Sequence, residues 1–243
     1  KYWHTLELLC ELGAYVVLYN TEPAAKDFHK APKLLRKWKA QEIWSYSNVQ
    51  PAELWRHANF TSRFVPAGCA EELQVNVDRH APDRHLTGIG FVGSWGYRPL
   101  YLRQMYQTAF QHELAPRDNI SVARDWQRFL SQYPLQFNAH ARWNSVLGFE
   151  SLRVAVLATN YACVLSVRSS KSDEAKFEGI IKFGNQRTLR RLYSRLRGND
   201  EAIRECQEET QRLFCERFAP RKVLEDAGFE EVLAKMGVST SSS

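Results

Sequence analysis

From residue 86 onward, short apolar runs alternate with longer stretches in which apolar residues recur at helical spacing. "LTGIGFVGS" (86–94) predicts a strand entering a glycine-rich turn, and "PLYLRQMYQTAFQHEL" (99–114) predicts a helix with Pro99 in its first turn. The pattern continues with a strand at "NISVA" (119–123) and a helix at "RDWQRFLSQY" (124–133). A strand at "LQFNAHA" (135–141), a helix at "FESLRVAVLATN" (149–160) and strands at "YACVLSV" (161–167) and "GIIKFG" (179–184) follow. A fainter version precedes it: a helix over 2–12 ending at Gly13, a strand over 14–20, a basic helix over 30–40, a strand over 42–47, a helix over 51–58 and a strand over 62–68. Regular strand–helix alternation predicts parallel sheets. Residues 69–85 are polar and contain proline, and read as a linker. "SSKSDEAKFEG" reads as a solvated loop.

Past the last strand, Leu189, Leu192, Tyr193 and Leu196 share one helical face that Gly198 ends. Asn199 or Asp200 can cap a further helix with Ile203, Cys206, Leu213 and Phe214 on one stripe. A final helix covers about 220–236, and the polar tail "STSSS" closes the chain. The expectation is an α/β protein of two Rossmann-like βα domains facing a cleft, the N-terminal one incomplete. Residues 1–80 form the partial first domain, 81–218 the second, and 219–243 a closing helix plus the tail.

In open α/β sheets, ligands bind beyond the carboxyl ends of the strands. Asn138, His140 and Ser166 fall at such ends, and Glu150 opens a helix. Gly93 and Ser94 end the strand at 86–92 and offer backbone N–H groups to phosphate. Arg98 and Arg153 can add charge-assisted bonds. Glu150 can accept both hydroxyls of a ribose.

On these residues the second half resembles the donor-sugar domain of GT-B glycosyltransferases. The resemblance runs over about 86–236 and rests on "GFVGSWGYRPLYL", "FNAH", "FESLRVAVLATNYACVLSV" and "GIIKFGNQRTLRRLYSRL". It implies a ribose role for Glu150, a diphosphate role for Gly93, Ser94 and Arg98, and a sugar-phosphate role for His140 and Arg153, with Asn138 and Ser166 on the same rim. Residues 13–68 are similar to the last part of an acceptor domain, which puts Glu22 and Tyr46 at strand ends near the cleft. Glu22 or His140 is then the group that deprotonates the acceptor hydroxyl. The implied reaction moves a sugar from a nucleoside-diphosphate sugar to a glycan or small-molecule acceptor. It needs no metal and no cofactor beyond the donor. Two positions depart from the pattern. Arg142 stands where retaining members often have a second Glu, and Val167 where a Glu often follows the serine. They support an alternative: a catalytically degenerate relative that serves as a structural or interaction subunit with a protein partner.

Composition changes this picture little. The chain has 243 residues and a formal net charge of +6. The charge suits an anionic ligand, and by itself suggests a third class, a nucleic-acid-binding α/β protein. The tryptophan-bearing basic stretch "KLLRKWK" (33–39) is more simply an amphipathic helix, so no nucleic-acid partner is expected. No apolar run reaches the roughly 20 residues of a transmembrane helix. Five cysteines without a CxxC motif read as buried thiols rather than disulfides or zinc ligands. That points to a soluble protein in an intracellular, reducing compartment, the cytoplasm in the first instance.

Overall fold

The computed structural model describes residues 14–20, 40–47, 61–117, 123–140 and 149–237. The expected helices over 2–12, 30–40 and 51–58 lie outside them, as do Glu22 and Arg142. The chain divides into two compact units, residues 1–66 with 220–243 and residues 67–219. That division falls upstream of the boundary at 80/81 expected from composition.

In the first unit, β1 (Val17–Asn20), β2 (Glu42–Ser45) and β3 (Ser62–Phe64) form a parallel sheet in the order β1-β2-β3. The returning C-terminal segment packs with this unit. The Glu42 carboxylate, buried on β2, takes hydrogen bonds from Arg63 Nε at 2.8 Å and Lys235 Nζ at 2.8 Å. Arg63 also donates to the Ala227 carbonyl at 2.7 Å and bridges Glu231 at 3.0 Å. One carboxylate therefore ties two strands to the chain terminus.

The second unit holds β4 (Ile89–Val92), β5 (Leu114–Arg117), β6 (Leu135–Asn138), β7 (Cys163–Val167) and β8 (Lys182–Gly184). They form one parallel sheet in the order β5-β4-β6-β7-β8. The connecting helices are α1 (Leu100–Ala109), α2 (Ala123–Gln132), α3 (Ser151–Thr159), α4 (Lys171–Lys176) and α5 (Gln186–Leu196), and α6 (Asp200–Arg217) completes the unit. β4, β6 and β7 are buried along nearly their whole length, the polar Gln136 and Asn138 of β6 included, because helices cover both sheet faces. Ile89, Phe91, Leu135, Phe137, Cys163 and Leu165 pack with Tyr106, Phe110, Leu189 and Tyr193 into one core.

The sequence reading needs five corrections. The helix expected over 99–114 stops at Ala109, and β5 follows at Leu114–Arg117; of the strand expected at 119–123 only Ala123, which opens α2, lies within the described residues. Gln111 and His112 take left-handed backbone conformations that turn the chain sharply there. Pro116 masked the strand signal, and it is tolerated because β5 is a sheet edge. The loop expected around 170–179 contains α4, capped by Ser170 Oγ accepting from the Asp173 N–H at 3.1 Å. Residues 69–85 are no free linker: Asn160 Oδ1 accepts from the Val75 N–H at 2.6 Å, and Ser131 Oγ from the Asp78 N–H at 2.9 Å. The helix expected over 220–236 is two, α7 (Pro220–Asp226) and α8 (Phe229–Lys235), separated at Gly228 with φ +70°.

The last correction concerns the cysteines. Cys69 pairs with Cys215 and Cys163 with Cys206, at Cα separations of 4.9 and 5.3 Å. The odd count hid two bridges plus Cys10, which lies outside the described residues. Bridging partners 146 and 43 residues apart are brought together by the fold, not by local spacing. The buried-thiol argument for a reducing compartment therefore falls away.

Candidate functional site

With β4 as the first strand of its sheet, the strand order is 2-1-3-4-5, and chain direction across the sheet reverses between β4 and β6. Helices leave these two strands to opposite sides, so a crevice opens beyond their carboxyl ends. Gly93 and Ser94 follow β4, and Ala139 and His140 follow β6, so all four lie at that end of the sheet.

Arg153, in the first turn of α3, spans it. Its guanidinium donates to Asn138 Oδ1 at 2.9 Å and to the Ala139 carbonyl at 3.3 Å, and lies 5.4 Å from the Phe91 ring centre. Asn138 in turn donates to Ser166 Oγ at 2.9 Å, and both are fully buried. Asn138, Ser166 and Arg153, picked from the sequence as rim residues, thus form one hydrogen-bonded chain across β6, β7 and α3. Gly93 makes room for it. At φ +136° it adopts a conformation that side-chain-bearing residues avoid, and a Cβ there would approach Arg153 Nη2 to 3.1 Å.

Glu150 is the N-terminal flanking residue of α3 and makes no side-chain capping bond. Its partly exposed carboxylate lies 3.7 Å from Arg153 Nη2. Ser94 is exposed on the rim. Arg98 is placed differently: it is 4% exposed and lies 4.4 Å over the Phe91 ring. It donates to the carbonyls of Ser94 and Ala139, both at 2.9 Å. In this position it laces the turn after β4 to the end of β6. Tyr46, just after β2 in the first unit, is 2% exposed.

His140 lines a hollow of about 340 Å³ with Leu102, Tyr106, Val167, Arg168, Gly184, Asn185 and Gln186. Its Nε2 faces the Arg168 carbonyl at 3.2 Å, which assigns the ring proton of the neutral form to Nε2. Nδ1 is then a buried acceptor with no partner among the described residues. Burial lowers the His140 pKa, against an opposing pull from the Glu150 charge, so the ring is held neutral. Among the described residues, no cluster of His, Cys, Asp and Glu could hold a metal ion. No helix among them is long and apolar enough to cross a membrane.

Sequence reasoning missed the hollow's far wall. Asn185 caps α5 by accepting from the Thr188 N–H at 2.9 Å. That cap was legible in "GNQRT", but its proximity to His140 was not. Asp173 was also missed. It is buried, and its carboxylate accepts from the Phe149 N–H at 3.3 Å, fixing the segment that presents Glu150.

No protein-family model matches the sequence, and no curated protein does. Solved structures do resemble it. HepE from Anabaena, in complex with UDP and glucose, is 10% identical, with 96% of this chain and 76% of that one covered at a TM-score of 0.61. The UDP-forming alpha,alpha-trehalose-phosphate synthase of Burkholderia vietnamiensis is 11% identical, with coverage of 98% and 72% at 0.57. Sucrose-phosphate synthase from Thermosynechococcus elongatus is 12% identical, with coverage of 97% and 70% at 0.55. At such identities the likeness is one of fold. The chain has a GT-B-type fold, as its sequence suggested.

Proposed function

We propose that this chain is a glycosyltransferase that moves a sugar from a nucleoside-diphosphate sugar to a hydroxyl acceptor. The observation that carries the reading is the hydrogen-bonded chain Arg153–Asn138–Ser166 at the switch point of the second sheet. It lies on a fold shared with a protein whose structure contains UDP and glucose.

In this reading the crevice takes the donor. The turn at Gly93 and Ser94 and the N-terminus of α3 face its diphosphate with backbone N–H groups and a positive dipole end. Arg153, held at a fixed height by Asn138, offsets the charge that develops on the departing nucleoside diphosphate. Glu150 accepts the ribose hydroxyls. Arg98 acts beneath them as a positioning residue. The acceptor proton goes to Glu22 or to His140, whose neutral ring has the lone pair a base needs. The arginine and the helix terminus are the cationic elements, so the scheme needs no metal.

A calorimetric titration with UDP and GDP tests this. One nucleotide should bind at micromolar concentration, and Glu150→Ala should weaken it by about 1–3 kcal/mol. Absence of binding by both would overturn the proposal. Arg142 and Val167 favour a second reading, a noncatalytic subunit on the same fold. Nucleotide binding without hydrolysis or transfer of any UDP- or GDP-sugar would favour that one.

A further inference from the structure

The outer face of the second unit carries a charge pattern that the donor site does not use. On α5, Leu189, Tyr193 and Leu196 point into the core. Arg187, Arg190, Arg191 and Arg195 lie on the opposite face and are exposed. Helical spacing of 100° per residue puts these four within one stripe on a helix about 16 Å long. Among the described residues, no carboxylate forms an ion pair with any of them. Other arginines of the unit do find partners: Arg84 pairs with Asp200, Arg197 with Glu113 and Arg212 with Glu216. α5 packs against α1, where Gln186 Nε2 donates to the Met105 carbonyl at 3.3 Å. The first turn of α1 exposes Leu100 and Tyr101, at 60% and 59%, while Leu102 and Tyr106 of the same helix turn inward to the hollow.

We infer that this α1–α5 face is a docking surface for an anionic phospholipid membrane. Charge complementarity selects a polyanion. Four guanidinium groups match phosphate, which they can bind in a bidentate manner. The exposed leucine and tyrosine select the lipid surface over a nucleic acid, because an apolar side chain and an amphipathic ring gain from entering the headgroup layer. The surface and the donor site use different residues, although the same two helices wall the His140 hollow through Leu102, Tyr106 and Gln186.

Vesicle co-sedimentation of the full chain tests the inference. The vesicles are phosphatidylcholine alone, or phosphatidylcholine with about one third phosphatidylserine, a content that gives the surface potential of an anionic leaflet. The protein should bind only the second kind, and less as salt rises. Each arginine near such a surface is worth about fivefold in partitioning, so Arg187→Gln/Arg191→Gln/Arg195→Gln should weaken binding about 100-fold. Leu100→Ser/Tyr101→Ser should weaken it too, by a factor insensitive to salt. That second variant leaves α5 untouched, so a folding defect in the triple variant does not spoil the test. Equal sedimentation with both vesicle kinds, or none with either, overturns the inference. So does duplex DNA binding that matches vesicle binding and ignores the Leu100 and Tyr101 changes.

Discussion

Glu42→Gln should destabilise the first unit by about 3 kcal/mol at neutral pH. The Glu42 carboxylate is 1% exposed, and burial alone would raise its pKa. Hydrogen bonds from Arg63, Lys235 and Trp44 outweigh that and hold it at about 2, against an ordinary 4.5. A carboxyl so depressed in the folded chain contributes about 3 kcal/mol wherever it is ionised in both states. The contribution is fully present above pH 4.5 and is lost as pH falls toward 2. The amide in the variant cannot ionise, so the gap between the two proteins should be widest at pH 7 and shrink steadily between pH 4.5 and pH 2. Urea denaturation at several pH values, with the Trp44 environment as the fluorescence probe, measures it. Lys235→Met should cost less, under about 1 kcal/mol, because the ammonium is half exposed and Arg63 stays in place. A gap of unchanged size from pH 7 to pH 3 would refute the argument. It would show that shape, and not the carboxylate charge, holds the terminus to the sheet.

Three other outcomes are expected. The His140 ring should titrate below its ordinary 6.5 in an NMR pH series, because burial disfavours the imidazolium; a midpoint above 6.5 would mean that Glu150 governs the ring instead. Cys163→Ser/Cys206→Ser should lower stability by about 2–4 kcal/mol, and mass spectrometry of unreduced peptides should find Cys69 joined to Cys215. Gly90→Ala should cost about 1–3 kcal/mol, since a Cβ there would lie 2.8 Å from Phe129 Cζ in a packed core; a variant melting with the parent would contradict that packing.

The sequence by itself determined most of the second unit. Short, mainly apolar runs mark strands, and β4, β6, β7 and β8 fall inside the predicted ones because that signal is local. The residue types near strand ends were equally legible: Asn138 closes β6, His140 lies two residues past it, and Ser166 is the last but one residue of β7. Tertiary structure decided what those residues do. Arg98 and Arg153 look alike in the sequence, yet one is enclosed against Phe91 and binds two carbonyls, while the other spans the crevice. The difference lies in where β4 and β6 meet, and strand order is not a local property. Asp173 looked like a loop residue because one of its partners, Phe149, lies 24 residues away and meets it only in the fold. The disulfides were hidden for the same reason. A chain fixes its own periodicity residue by residue, but pairings over long separations exist only once the sheet has brought the strands side by side.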